Sequence, residues 1–257
     1  MENRFDEFLA LHHSNDLLRI GNVWNAQSAK IYGAQGFKAV GTSSAAVAAS
    51  LGFADGEEMA FNDYLFVVQR ILASTNAIVT VDIEGGYGAD AEAISSNIRR
   101  LYEAGVSGIN IEDSVIREGE RHIVDAEAFA DKLRKIMELL KRDGVRMFIN
   151  LRSDSFLLDL PNALKDALAR VQVYQETGVH GLFFPCINKI ADIKEITAAS
   201  KLPVSVMCIP GLPSFGELQK AGVKRVSDGP FLNMRIYKEL EDTITKIRSE
   251  DSFASLF

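Results

Sequence analysis

Ile78-Val79-Thr80-Val81-Asp82-Ile83-Glu84-Gly85-Gly86-Tyr87-Gly88 opens the unit that decides the fold. A short run of β-branched residues ends in two acids and a glycine-rich turn. Residues 90–104 then carry apolar side chains at helical spacing, and Gly108-Ile109-Asn110-Ile111 begins a second apolar run. A strand, a helix and a strand in that order make the strands parallel, with the helix outside. The same unit recurs in both directions along the chain. Eight runs rich in Val, Ile and Phe, at 18–24, 37–41, 78–82, 108–111, 146–151, 181–184, 204–208 and 225–227, are separated by segments that include predicted helices at 125–142, 162–177 and 232–248. Strict alternation of strand and helix is expected.

A weak internal repeat supports this pattern. Gly36-Phe37, Gly105-Val106, Gly178-Val179 and Gly222-Val223 each lead into an even-numbered run. A helix commonly stops on a left-handed residue, which glycine adopts without steric cost. Eight regular runs favour a closed barrel over an open sheet, whose edges would be more polar. The expected fold is therefore α/β, a (β/α)8 TIM barrel, as one domain over residues 1–257. The length suits it, since such barrels take about 250 residues.

Composition narrows the function. With 47% hydrophobic and 25% charged residues in 257, the chain is ordinary globular material. A net charge of −7 with no basic stripe excludes a nucleic-acid surface. The two cysteines, Cys186 and Cys208, form neither a ligand spacing nor a disulfide framework, and packing is the default for both. Glu2, Asp6, Glu7 and Asp16 interrupt the start, unlike a signal peptide, and no stretch approaches a membrane span. A cytoplasmic protein is expected.

Barrels of this kind work at the C-terminal ends of their strands. Asp82 and Glu84 follow the third run on one side of the strand, and Glu112 follows the fourth, so three carboxylates can converge. Acids at one mouth repel unless a cation joins them, and oxygen ligands suit Mg²⁺ or Mn²⁺ rather than zinc. The plainer reading has such acids capping helices, and for Asp113 the two readings are balanced. Arg152, after the fifth run, suits a carboxylate or phosphonate through two parallel hydrogen bonds, or a salt bridge to Glu112 or Asp154. Thr42-Ser43-Ser44-Ala45-Ala46 offers either backbone N–H groups to an anion or close packing. Asp55 adds another acid a few residues on.

Taken together, 21–230 resemble the isocitrate lyase and phosphoenolpyruvate mutase superfamily. Val81-Asp82-Ile83-Glu84-Gly85-Gly86-Tyr87-Gly88 resembles its Asp-x-Asp-x-Gly-[Tyr/Phe]-Gly, Ile111-Glu112-Asp113 its Glu-Asp pair, and Arg152 its arginine after strand 5. Gly21-Asn22-Val23-Trp24-Asn25-Ala26, Ser43-Ser44-Ala45, Leu51-Gly52-Phe53-Ala54-Asp55 and Pro210-Gly211-Leu212-Pro213-Ser214 match further segments in order. The resemblance implies Asp82 as direct Mg²⁺ ligand, with Glu84, Glu112 and Asp55 holding water around the ion. It also implies that Ser43, Ser44 and Ala45 donate N–H groups to the substrate carboxylate, that Trp24 lines the substrate site, and that Arg152 holds substrate oxygens. Family members are usually tetramers exchanging their last helices, a role open to 232–257.

Departures bear on the reaction. The family's lyases carry Lys-[Lys/Arg]-Cys-Gly-His after strand 4, and its mutases a lysine with an asparagine or threonine. This chain has Ser114-Val115-Ile116-Arg117-Glu118-Gly119-Glu120-Arg121-His122. Glu118, Glu120 and His122 are the acid–base groups there, unless the segment is a solvated loop. Glu84 replaces an aspartate and Ser44 a glycine. The leading expectation is a Mg²⁺-dependent lyase breaking a C–C bond of a small 2-oxo or 2-hydroxy di- or tricarboxylate through an enolate-like species. The alternatives are phosphoenolpyruvate mutase or phosphonopyruvate hydrolase chemistry on a P–C bond, and a non-catalytic oxyacid-binding protein.

Overall fold

The computed structural model describes residues 4–257. Helix α1 (Phe5–His13) precedes the first strand, and the chain then runs β1 (Leu18–Val23), α2 (Ala26–Ala34), β2 (Ala39–Thr42), α3 (Ser44–Ser50), α4 (Phe61–Leu72), β3 (Ile78–Asp82), α5 (Ala91–Ala104) and β4 (Gly108–Glu112). A hairpin follows, β5 (Ser114–Arg117) with β6 (Glu120–Ile123), before α6 (Ala126–Arg142) and β7 (Phe148–Arg152). The remainder is α7 (Ala163–Tyr174), β8 (Gly181–Phe184), α8 (Ile190–Ala199), β9 (Val204–Met207), α9 (Phe215–Lys220), β10 (Arg225–Ser227) and α10 (Phe231–Glu250). Eight parallel strands close in the order β1-β10-β9-β8-β7-β4-β3-β2, which is a (β/α)8 TIM barrel.

All eight predicted runs form its staves, and Gly36, Gly105, Gly178 and Gly222 all take positive φ between +78° and +106°. Strict alternation fails twice, because two helices separate β2 from β3 and the hairpin interrupts the step from β4 to α6. The hairpin forms because Glu118 and Gly119 both take positive φ, 53° and 81°, the two-residue turn whose twist matches antiparallel strands. It pairs Arg117 with Glu120 and Val115 with His122, where the sequence reading had the alternative of a solvated loop.

Alternation along each strand sorts the side chains. Val79, Val81, Ile109, Ile111, Ile149 and Leu151 belong to the large core between strands and helices. Their neighbours face the interior and change character along the axis. Leu18, Ile20, Ala39, Ile78 and Phe148 form an apolar lower cluster with Phe5 and Phe8 of α1. Above them lie Thr80, Asn110, Asn150, Ser205 and Arg225, all buried. At the mouth stand Asp82, Glu112 and Arg152. Burial draws the Arg225 guanidinium down to about 10, and Arg225 donates to Asn110 Oδ1 at 3.3 Å. No helix among the described residues is long and apolar enough to cross a membrane.

Helix α10 departs from the barrel. Its only buried residue is Asn233, while Ile236, Leu240 and Ile244 lie exposed at four-residue spacing.

Candidate active site

The register fixes who meets whom at the mouth. Asp82 pairs with Asn110, which pairs with Asn150, and one layer higher Glu112 pairs with Arg152. Arg152 Nη1 lies 2.8 Å from Glu112 Oε2 and 3.8 Å from Asp82 Oδ2, while Nε and Nη2 reach the two Asp154 oxygens at 2.6 and 3.1 Å. Burial alone would lower the Arg152 pKa; the carboxylates of Glu112, Asp154 and Asp82 reverse that and hold it charged. The salt-bridge reading of Arg152 therefore holds with both Glu112 and Asp154.

Glycines shape the segment after β3. Gly86 has φ +114°, and a Cβ there would lie 2.7 Å from Ile94 Cγ1. Glu84 and Tyr87 also take positive φ, 50° and 55°, a costly conformation for such residues that turns Glu84 inward. Glu84 Oε1 accepts from Tyr87 Oη at 3.1 Å and Oε2 from the Glu57 N–H at 3.1 Å. Glu57 in turn accepts from the Tyr87 N–H at 2.8 Å. Burial, then the charges of Asp55, Asp82 and Glu112, push the Glu84 carboxyl up to about 8. Burial likewise raises Asp82 and Glu112, in each case against the pull of Arg152.

The donor chemistry suits a hard dication. Asp55, Asp82, Glu84, Glu112 and Asp154 gather around only two guanidinium groups, Arg152 and Arg121. Glu112 Oε2, though close to Arg152, has no properly directed hydrogen bond. Among the described residues, no three His, Cys, Asp or Glu side chains are close enough together to hold an ion by themselves. An ion here would take few direct side-chain ligands and keep much of its water, as Mg²⁺ does.

At the end of β2, Ser44 Oγ donates to Asp82 Oδ2 at 3.3 Å. The Ser43 N–H, expected to face a substrate, is instead committed to Val23 O at 3.2 Å, because it extends the pairing of β2 with β1. Ser43 Oγ caps α3 at the Ala46 N–H. The first-turn amides of Ser44 and Ala45 lack intrahelical acceptors and remain as donors. Trp24 is buried in the large core, with its N–H held by Ser28 Oγ at 3.1 Å.

Asp113 caps no helix. It accepts from the Asp154 N–H at 2.9 Å, Tyr174 Oη at 2.9 Å and Arg170 Nη1 at 3.1 Å, tying β4 to α7 behind the mouth. Burial, opposed by Arg170, raises it to about 6. Cys186, half-buried beyond β8, lies near enough to Arg152 to feel its charge; Cys208 is exposed rather than packed.

The hairpin delivers a different residue from those expected. Glu118 sits at its exposed turn, and His122, exposed, flanks a surface hollow with Arg117 and Lys132. Glu120 is exposed too. Side chains alternate across a strand, so where His122 faces outward its neighbour Arg121 faces in. Arg121 donates to Glu112 Oε1 and to Ser114 Oγ at 2.8 Å, and reaches Asp154 at 3.5 Å and Asp55 at 3.3 Å. Sequence reasoning missed Arg121 and Glu57. A Glu-Gly turn between alternating residues was the available signal for the first; nothing local marks the second.

Comparison with known proteins agrees with this architecture. A family model described as phosphoenolpyruvate phosphomutase matches residues 8–248. An uncharacterized protein of Mycobacterium tuberculosis is 33% identical over 222 residues, covering 86% of this chain and 81% of the other. The 2-methylisocitrate lyase of Escherichia coli is 29% identical over 201 residues, and the match spans 76% of this chain and 66% of that enzyme. A solved Burkholderia cenocepacia chain, provisionally named a phosphonomutase, superposes with a TM-score of 0.87 at 36% identity, over 95% of this chain and all of the other. The barrel, its acidic mouth and these matches together make this chain a member of the phosphoenolpyruvate phosphomutase family.

Proposed function

We propose that the protein is a Mg²⁺-dependent lyase that cleaves a C–C bond of a small 2-oxo or 2-hydroxy di- or tricarboxylate. The observation that carries this reading is the surplus of buried carboxylates around Arg152. Asp82 would ligate the ion, and Glu84, Glu112 and Asp55 would hold its water. Bound there, a dication supplies electrostatic stabilisation to an enolate-like oxygen. Ser44 and Ala45 N–H groups seat the substrate carboxylate, and Arg152, kept charged by Glu112 and Asp154, grips its oxygens. Glu118 and His122 take no part in this scheme.

Purified protein with Mg²⁺ should release pyruvate or a related keto acid from at least one of oxaloacetate, 2-methylisocitrate and 2,3-dimethylmalate. Silence across that panel would overturn the lyase reading. The family model and the 36%-identical structure favour P–C chemistry as a second reading. Phosphorus NMR separates the two, since only that reading predicts loss of the phosphonate signal from phosphonopyruvate. Oxalate binding with no turnover of either class would leave the non-catalytic alternative.

The same reading includes a homo-oligomer with exchanged C-terminal helices. In a barrel each strand is covered by helices, yet α10 turns away from β10 and β1. A groove lined by Arg19, Tyr32, Phe37, Leu212, Pro213 and Phe215 lies open there. Helix α10 of a second copy, with Ile236, Leu240 and Ile244 exposed along one face, is the occupant proposed for it.

A further inference from the structure

We infer that Arg121 selects for a second, distal carboxylate on the ligand; this deepens the oxyacid reading above and rests on it. The hairpin holds Arg121 firmly in place. Its register is fixed by the tight turn at Glu118-Gly119, and Ile116 lies against the bare face of Gly56, beside Asp55. The Arg121 side chain is only 15% exposed.

The contacts form a continuous chain from Ser44 to Asp55. Ser44 touches Asp82, Arg152 approaches Asp82 and binds Glu112, and Arg121 binds Glu112 and reaches Asp55. A ligand whose carboxylate lies at Ser44 and Arg152 therefore extends its far end toward Arg121. At the buried end of those contacts Arg121 is redundant, because Arg152 already pairs with both Glu112 and Asp154. Its Nη2 arm points instead at the rim, where Asp55 meets it at 3.3 Å with a side chain 39% exposed. Such a half-exposed pair is weak and exchanges readily for an incoming anion. The planar fork of a guanidinium matches a carboxylate in two parallel hydrogen bonds. No cysteine or lysine stands on this hairpin to do other work.

Calorimetry with Mg²⁺ present tests the inference with two probes, oxalate for the head group alone and 3,3-difluorooxaloacetate for head group and distal carboxylate. Arg121→Gln should weaken 3,3-difluorooxaloacetate by about 10- to 100-fold, the worth of a charged hydrogen bond, and change oxalate by less than about threefold. Arg121→Lys, which keeps the charge without the fork, should fall between. Equal weakening of both probes would reduce Arg121 to a support of the acid cluster and overturn the inference, as would no change in either. Failure of oxalate to bind the unaltered protein would instead remove the oxyacid reading itself and this inference with it. Unfolding curves of both variants identify any loss that comes from misfolding; the Lys variant then decides.

Discussion

Arg152 and Asp154, two residues apart, are joined by a fork-to-fork pair at 2.6 and 3.1 Å in which Asp154 is fully buried. The pair leaves Nη1 of Arg152 beside Glu112, 2.8 Å from its Oε2. Asp154→Asn would strip the guanidinium of its main partner inside a low-dielectric mouth. A loss of ~3–5 kcal/mol in urea unfolding is expected, since breaking one half of a buried pair strands the other. Oxalate binding should fall as well; unchanged stability would mean that Glu112 alone suffices.

Asp82 carries the converse expectation. Burial raises its pKa despite Arg152, so the ionised form is held at a cost. Asp82→Asn should leave the metal-free protein as stable as before or more so, and abolish stabilisation by Mg²⁺. In the unaltered protein, Mg²⁺ at 100 times Kd adds ~2.7 kcal/mol, or ~5–10 °C in Tm for a chain of this size. A Mg²⁺-induced rise surviving in the variant would place the ion elsewhere.

His12 and His180 contribute to the loss of stability in acid. Burial lowers His12 to about 3 and His180 to about 4, from an ordinary value of 6.5. Between those values and 6.5 only the unfolded chain binds the protons, so their contribution is complete above pH 6.5 and is lost as pH falls toward 4 and then 3. Each adds up to ~1.4 kcal/mol per pH unit to the slope. His12 stacks on Phe148 at 4.0 Å, and its Nε2 has no partner, so His12→Phe retains the packing. Urea titrations at pH 7, 6 and 5 should show the variant losing less stability than the unaltered protein; parallel curves would refute the assignment.

Exposed residues of α10 test the assembly. Leu240 and Ile244 are 51% and 48% exposed, so Leu240→Glu with Ile244→Glu costs the single chain little. Light scattering after gel filtration should show a homo-oligomer become a monomer. A mass unchanged by the double variant would exclude exchange of this helix.

The acidic mouth was legible because a strand's period of two writes the barrel interior into the sequence. Three adjacent staves read inward as Ile78-Thr80-Asp82, Gly108-Asn110-Glu112 and Phe148-Asn150-Arg152, apolar at the base, amide or hydroxyl in the middle, charged at the top. Strand ends, the barrel and the meeting of Asp82, Glu112 and Arg152 follow from that local pattern and parallel register alone. Asp55 and Glu57 obey no such period, and Arg121 obeys it only within its own hairpin. They reach the mouth on a hairpin and a loop, and their places depend on contacts such as Ile116 on Gly56 and Glu57 on the Tyr87 amide, between segments distant in sequence. The same limit explains Glu118 and His122, whose chemistry was visible in the sequence but whose outward direction was fixed by a two-residue turn and the strand pairing it imposes.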